Sequence, residues 1–246
     1  MNRGTAPPGV VGDRQIAHWV RAMFDRVAHR YDLLNHLLSF NVDRYWRART
    51  IGLLRHVLQR PDAAVLDICC GSGDLALALD KGGEARVFAS DFSHPMLRVA
   101  SRKFRRRRAS AALFEADALQ LPFRDASFDL VTVAFGFRNL VDYRQGLAEM
   151  RRVLKPGGLA AILEFSQPPN PLLRALYGFY SRRILPLVGG LISGSREAYA
   201  YLPDSVSRFP GPDQLAGEML LAGFHHAEYH RLTGGIAVLH LGAAGE

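Results

Sequence analysis

The stretch Val65-Leu66-Asp67-Ile68-Cys69-Cys70-Gly71-Ser72-Gly73-Asp74-Leu75 sets a short apolar run, an acid and a glycine turn directly ahead of a helical pattern. Few folds accommodate that order. Residues 63–68 read as a strand buried on both faces, the habit of a parallel sheet covered by helices. Glycines at the strand-to-helix turn let the backbone approach a ligand closely. A second run, 86–91, repeats the design and ends in Asp91, twenty residues after Gly71. At that spacing a carboxylate is suited to accept hydrogen bonds from a ribose diol.

Three more short apolar runs, 111–116, 128–134 and 159–164, predict further strands. Helices fall between them at 74–79, from Ser93 or His94 onward with Pro95 in the first turn, and at 145–154, where Lys155-Pro156-Gly157-Gly158 stops the last. Residues 171–223 read mostly as helix, and 224–232 with 235–241 as an antiparallel hairpin. Ahead of the first strand, helical sequence begins near Arg14, and the segment 24–58 breaks at Ser39-Phe40-Asn41, where Asn41 is suited to a left-handed conformation. This alternation predicts an α/β fold: a Rossmann-like doubly wound, mostly parallel seven-stranded sheet with a C-terminal antiparallel hairpin. Residues 1–13 read as a flexible tail and 14–246 as one domain, with helical lid segments at about 20–58 and 171–205.

Charge discriminates among ligands. Gly71-x-Gly73-x-x-Ala76 alone also passes as a dinucleotide fingerprint. A pyrophosphate requires a positive field, yet this loop is bracketed by Asp67 and Asp74, with no Lys or Arg between Val65 and Asp80. S-adenosylmethionine has no phosphate, carries a sulfonium and an ammonium, and keeps a ribose for Asp91. Asp117, in Glu115-Ala116-Asp117-Ala118 at the end of the third strand, is placed to accept from an adenine amino group.

The net charge of +8, with 28 of 31 basic residues arginine, fits an anionic lipid surface, nucleic acid or a solubilising exterior. No basic residue is tied to an aromatic stacking motif, so nucleic acid is not the expected partner. Arg98, Arg102, Lys103 and residues 105–108 form the densest basic stretch; half of it is satisfied by a helix C-terminus, and the remainder suits anionic headgroups or RNA. The charge-free run 184–195 contains Pro186 and three glycines and is shorter than the ~20 residues a membrane span needs. The N-terminus lacks the apolar segment of a secretory signal. Cys69 and Cys70 are adjacent, so a mutual disulfide is strained, and no ligand-rich cluster accompanies them; a cytoplasmic setting, no metal, and packing beneath the loop are the expectations.

Beyond the loop, three motifs are more specific: Phe24-Asp25-Arg26-Val27-Ala28-His29-Arg30-Tyr31-Asp32-Leu33-Leu34-Asn35 with Leu38-Ser39-Phe40, then Phe135-Gly136-Phe137-Arg138-Asn139-Leu140, and Tyr201-Leu202-Pro203-Asp204-Ser205-Val206. Together with the loop, Asp91, Asp117-Ala118 and the Leu154-Lys155-Pro156-Gly157-Gly158 turn, they make the sequence resemble class I S-adenosylmethionine-dependent methyltransferases. More narrowly, over roughly residues 20–242, it is similar to the menaquinone/ubiquinone biosynthesis C-methyltransferases.

That resemblance implies methylation of a ring carbon of a polyprenylated quinol, with demethylmenaquinol as a typical acceptor. Glu164-Phe165-Ser166-Gln167-Pro168 and Arg208-Phe209-Pro210-Gly211 are closer to the menaquinone branch. The implied S-adenosylmethionine contacts are Asp67, Gly71, Ser72, Gly73, Asp91, Asp117, Ala118 and Ala134. Ala134 occupies a position that is often serine in the family, so a hydroxyl contact is lost there while a backbone contact remains available. A ring carbon is a poor nucleophile unless a neighbouring hydroxyl is nearly ionised, which makes the reduced quinol the acceptor. Arg138 and Asn139 are the candidates to stabilise the developing phenolate; His29, Tyr31 and Tyr201 are the candidates to orient or deprotonate the hydroxyl, and nothing in the sequence selects one. The apolar face through Leu172, Leu173, Leu176, Tyr177 and Tyr180, followed by residues 184–188, suits a lid over an isoprenoid groove and peripheral contact with an anionic membrane. The same fold also serves ubiquinol precursors, other small molecules or RNA, and it suits a non-catalytic S-adenosylmethionine-binding or nucleic-acid adaptor. No heptad or edge pattern sets an oligomeric state.

Overall fold

Along the first strand, β1 (Ala64–Ile68), Leu66 and Ile68 belong to one apolar cluster and Val65 to another, so alternation places core on both faces. The computed structural model describes residues 4, 9–29, 32, 36, 37, 39–187 and 196–245, with the backbone alone at 196–200. Six further strands follow: β2 (Arg86–Asp91), β3 (Ala112–Glu115), β4 (Phe128–Ala134), β5 (Leu154–Phe165), β6 (Phe224–Leu232) and β7 (Ala237–Ala244). They form one sheet in the order β3-β2-β1-β4-β5-β7-β6. Only β7 runs antiparallel to its neighbours, giving the mostly parallel, doubly wound sheet with a C-terminal hairpin that the sequence predicts.

Helices close both faces. On one side α6 (Tyr143–Val153) and α9 (Pro212–Leu221) press Leu147, Met150, Leu215 and Met219 against Leu66, Ile68 and Val131. On the other, α3 (Arg55–Leu58), α4 (Asp74–Lys81) and α5 (His94–Arg107) bring Leu58, Leu75, Leu79, Ala100 and Phe104 against Val65 and Leu130. Over the C-terminal ends of the strands lie α1 (Asp13–Val27), α2 (Val42–Leu53), α7 (Pro171–Phe179) and α8 (Arg196–Arg208). The helix starts are chemical: Ser93 Oγ accepts from Met96 N–H at 3.3 Å, and Asn170 Oδ1 from Leu172 and Leu173 N–H at 3.0 and 3.1 Å. Phe40 and Asn41, at φ 52 and 60°, supply the left-handed break before α2.

Two boundaries differ from expectation. β5 starts at Leu154 because Phe128 pairs with Leu154 and Leu130 with Leu159, so Lys155–Gly158 bulge out of the ladder instead of ending the element. Lys155 Nζ reaches the Asp129 carboxylate at 2.7 Å across that bulge. β7 extends to Ala244 because β5 and β6 pair with it along that length. Most of the predicted N-terminal tail, and residues 188–195 of the second predicted lid, lie outside the described residues. No helix among the described residues is long and apolar enough to cross a membrane.

The strand order reverses between β1, which leads outward to β2, and β4, which leads to β5. A crevice opens at such a switch point beyond the strand ends.

Gly73, at φ 82°, starts α4 where a Cβ would lie 2.6 Å from the buried Phe104 ring. Gly73→Ala is expected to destabilise the fold by about 2 kcal/mol in urea unfolding through left-handed strain and this clash. Phe104→Leu in the Gly73→Ala background should recover the steric part only; no destabilisation by Gly73→Ala refutes the packing role.

Candidate functional site

Beyond β1 the chain turns through Cys69, Gly71 and Gly73, all left-handed. Asp91 fixes that turn: its Oδ2 accepts from Gly71 N–H at 2.8 Å and its Oδ1 from Ser93 N–H at 2.9 Å. Burial pushes Asp91 up to about 6 despite these hydrogen bonds. Asp67, 1% exposed, accepts from Thr132 Oγ1 at 2.8 Å, and burial pushes it up to about 7. The Cys69 and Cys70 thiols are pushed well up by burial and by the neighbouring carboxylates, which suits packing and not nucleophilic chemistry.

These residues line a cavity of about 130 Å³ at the switch point. Four carboxylates border it, from Asp67, Asp74, Asp91 and Asp117, against one cation, Arg47. The fold alters the charge pattern expected from the loop alone. Lys103 Nζ sits 2.5 Å from Asp74 and 2.5 Å from Asp32, and Arg47 lies 3.5 Å from Asp74. Asp74 is therefore neutralised by residues distant in sequence, and the negative field comes from Asp67, Asp91 and Asp117. The same arrangement accounts for Lys103, which faces the loop and not a lipid or RNA partner. The hydroxyl of Ser72 donates to Asp32 and accepts from Lys103. Asp117 is exposed at the rim, its Oδ1 accepting from Leu119 N–H at 2.9 Å, and Ala118 and Ala134 line the wall. Gly73 does not line the cavity; it packs on Phe104 instead.

Asn139, on the 3-10 turn Phe137–Asn139 after β4, also lines this cavity, and its buried Oδ1 has no hydrogen-bond donor among the described residues. An acceptor without a donor, beside carboxylates raised to about 6 and 7, suits a ligand that brings N–H groups and positive charge. S-adenosylmethionine satisfies both demands.

A second, apolar cavity of about 360 Å³ adjoins the first across Phe24, Arg47 and Phe135, which line both. Phe135 is left-handed at φ 58°, a strained position at the end of β4. Its ring packs with those of Trp46 and Phe165 at centroid distances of 5.7 and 4.5 Å, and the Trp46 indole N–H donates to Thr233 Oγ1 at 2.8 Å. Arg47, Trp46 and Phe165 were not distinguished by sequence; the Asp43/Arg47 pair at i,i+4 was the available signal for Arg47.

Arg138 reaches the apolar cavity and Asn139 the acidic one, so these chain neighbours are divided between two sites. Arg138 is no surface salt bridge: at 5% exposure it donates to Glu164 Oε1 at 2.9 Å, to Ser205 Oγ at 3.2 Å and to the Phe135 carbonyl, and its guanidinium stands 5.5 Å from the Phe165 ring centroid. Motifs far apart in sequence thus meet at one guanidinium. Tyr201 lines the same cavity with a buried hydroxyl that has no partner among the described residues, and burial raises its pKa, which favours the protonated, donating form. His29 lies outside both cavities, exposed beside Arg102, Lys103 and Arg106 in a shallow groove. Tyr31 lies outside the described residues.

Comparisons with known proteins agree with this geometry. A demethylmenaquinone methyltransferase of Thermus thermophilus is 48% identical over 89% of this chain and 99% of its own length. A second protein so named, from Deinococcus radiodurans, is 46% identical over 98% and 99%. A ubiquinone/menaquinone biosynthesis C-methyltransferase of Syntrophotalea carbinolica is 44% identical over 90% and 92%. Among solved structures, a SAM-dependent methyltransferase from Aquifex aeolicus superposes with a TM-score of 0.56 at 18% identity over 78% of this chain and 87% of its own. A Haemonchus contortus phosphoethanolamine N-methyltransferase, solved with S-adenosylhomocysteine, gives 0.59 at 16% identity over 79% and 52%; these two share the fold. The profile of the ubiE/COQ5 methyltransferase family matches residues 10–244, and the chain belongs to that family.

Proposed function

We propose that this methyltransferase transfers a methyl group from S-adenosylmethionine to a ring carbon of a polyprenylated quinol, with demethylmenaquinol as the acceptor. The supporting observation is the pairing of an acid-lined cavity with a larger apolar one across Phe24, Arg47 and Phe135. When bound, the donor supplies an electrophilic methyl group: the ring carbon gains it, the sulfur keeps the bonding pair as a neutral thioether, and the ring releases a proton.

The chain's own residues bind, orient and exclude water. Asp91 and Asp117 are assigned to the ribose and adenine, Asp67 to the positive field, and the Asn139 Oδ1 acceptor to a donor N–H. Trp46, Phe135 and Phe165 keep the acceptor side dry. The unpartnered Tyr201 hydroxyl donates to a quinol oxygen, and Arg138, held by Glu164, presents oriented N–H groups toward developing phenolate charge. The helices α1, α2, α7 and α8 serve as lids. A cytoplasmic protein in peripheral contact with the inner face of the membrane belongs to the same reading, since a polyprenylated acceptor dissolves in lipid.

Purified protein incubated with methyl-labelled donor is expected to label reduced demethylmenaquinol, and not demethoxylated ubiquinol precursors or RNA. Label confined to RNA overturns the acceptor assignment.

The raised carboxylates predict a pH dependence with a definite sign. Protonated Asp67 and Asp91 favour the ligand-free fold, and that contribution is lost as pH rises through about 6 and 7. A cationic donor requires their ionised forms, so calorimetric affinity should fall by about a hundredfold between pH 8 and pH 5.5. Flat affinity over that range removes the electrostatic assignment.

Arg138→Ala leaves buried Glu164 unpaired and is expected to destabilise the fold by about 3–5 kcal/mol in urea unfolding. The double variant Arg138→Met, Glu164→Leu should recover most of that stability while turnover remains at least about a hundredfold low. Full turnover in the double variant would show that Arg138 has no part in the reaction.

A further inference from the structure

The helix α7 and the π turn Tyr180–Ile184 that extends it carry large apolar side chains toward the cavity and toward solvent alike. Leu173, Tyr177 and Tyr180 line the acceptor cavity. On the opposite side Leu172, Phe179 and Leu187 stand 69%, 64% and 54% exposed, and α7 buries none of its residues. A contiguous patch of large apolar side chains left in solvent marks a surface that another apolar phase covers. Leu176 joins the two sides, lining the cavity while 61% exposed. Next to it Phe40, 75% exposed on left-handed backbone, sets its ring 5.9 Å from that of Tyr180. The outer patch is therefore continuous with the cavity mouth.

Charge selects what covers it. Residues 171–187 contain Arg174, Arg182 and Arg183 and no acid. All three arginines are exposed; Arg174 is engaged by the Pro168 and Pro169 carbonyls, to which it donates at 2.8 and 3.1 Å. A second copy seated here would oppose like charges on a chain already at +8. An anionic bilayer instead complements both the apolar side chains and the arginines.

We infer that this face docks on an anionic phospholipid bilayer, with Leu172, Phe179 and Leu187 entering the acyl boundary and Arg182 and Arg183 meeting headgroup phosphates, so that the acceptor cavity opens toward lipid. The inference rests on the quinol reading above, which gives the cavity a lipid-soluble occupant.

Flotation with phosphatidylglycerol/phosphatidylcholine vesicles tests it. Wild-type protein should float with these vesicles, lose binding on pure phosphatidylcholine and be released by high salt. The triple variant Leu172→Gln, Phe179→Gln, Leu187→Gln and the pair Arg182→Glu, Arg183→Glu should each weaken binding by about tenfold or more. The arginine pair variant should keep the wild-type rate on a demethylmenaquinol whose tail is cut short for solubility, and both variants should lose rate on vesicle-embedded acceptor. Wild-type protein that methylates the short acceptor but ignores vesicles overturns the docking face and leaves the catalytic reading standing. A triple variant that sediments as a smaller species with flotation unchanged assigns the face to a second copy and also overturns it. Vesicle binding without methylation of either acceptor supports the docking face and overturns the quinol assignment instead.

Discussion

The carboxylate of Asp91 holds the glycine turn before any ligand arrives. By accepting from Gly71 N–H and Ser93 N–H it ties the loop after β1 to the helix start after β2, across two strands that are neighbours in the sheet. A buried acid raised to about 6 is tolerated there because two backbone donors face it. The arrangement is preorganised: orientation is supplied by the fold, and binding a cation relieves a carboxylate that burial disfavours. Asp67, at 1% exposure against 6% for Asp91, is raised further by burial, to about 7, although the Ala76 backbone and the Thr132 hydroxyl face it.

A similar economy governs the other end of the switch point. Gly136 lies where a Cβ would stand 2.6 Å from Cys69 Cβ, so the turns after β1 and β4 touch. That contact places the 3-10 turn so that Asn139 points into the acidic cavity and Arg138 into the apolar one. Buried ion pairs are poor sources of stability, and replacing one by apolar groups is often neutral or better. An Arg138–Glu164 pair inside an apolar wall therefore calls for a functional reason, and the proposed acceptor chemistry offers one.

How far the sequence disclosed this depended on the range of the interactions. The seven strands, the cap at Ser93 and the left-handed break at Asn41 follow from local patterns, and so does the acid-glycine-acid signature, because strand ends converge wherever a parallel sheet forms. Contacts that depend on tertiary approach were not legible: Lys103 and Arg47 on Asp74, Trp46 against Phe135, and the division of Arg138 from Asn139. His29 belongs to a family-like motif yet lies outside both cavities, since motif neighbours on a turn need not share a direction. The bulge at 155–158 was hidden for a related reason, because proline and glycine mark a stop in one dimension while the partner strand carries the ladder past it.

Neutralisation of Arg138 by Glu164 bears on where an ionised acceptor gains its stability. The pair is near charge balance, so it offers a quinol oxygen oriented N–H groups and a local dipole, not a free cation. In the proposed reaction the sulfonium stands on the donor side of Phe135, where Asp67 and Asp91 balance it. In that reading the two cavities depend on each other: with the donor absent, a phenolate in the apolar cavity has only the neutralised Arg138–Glu164 pair beside it, which favours the neutral quinol. Ionisation of the acceptor is thereby coupled to occupancy of the neighbouring site, and an acceptor that enters first waits unreactive.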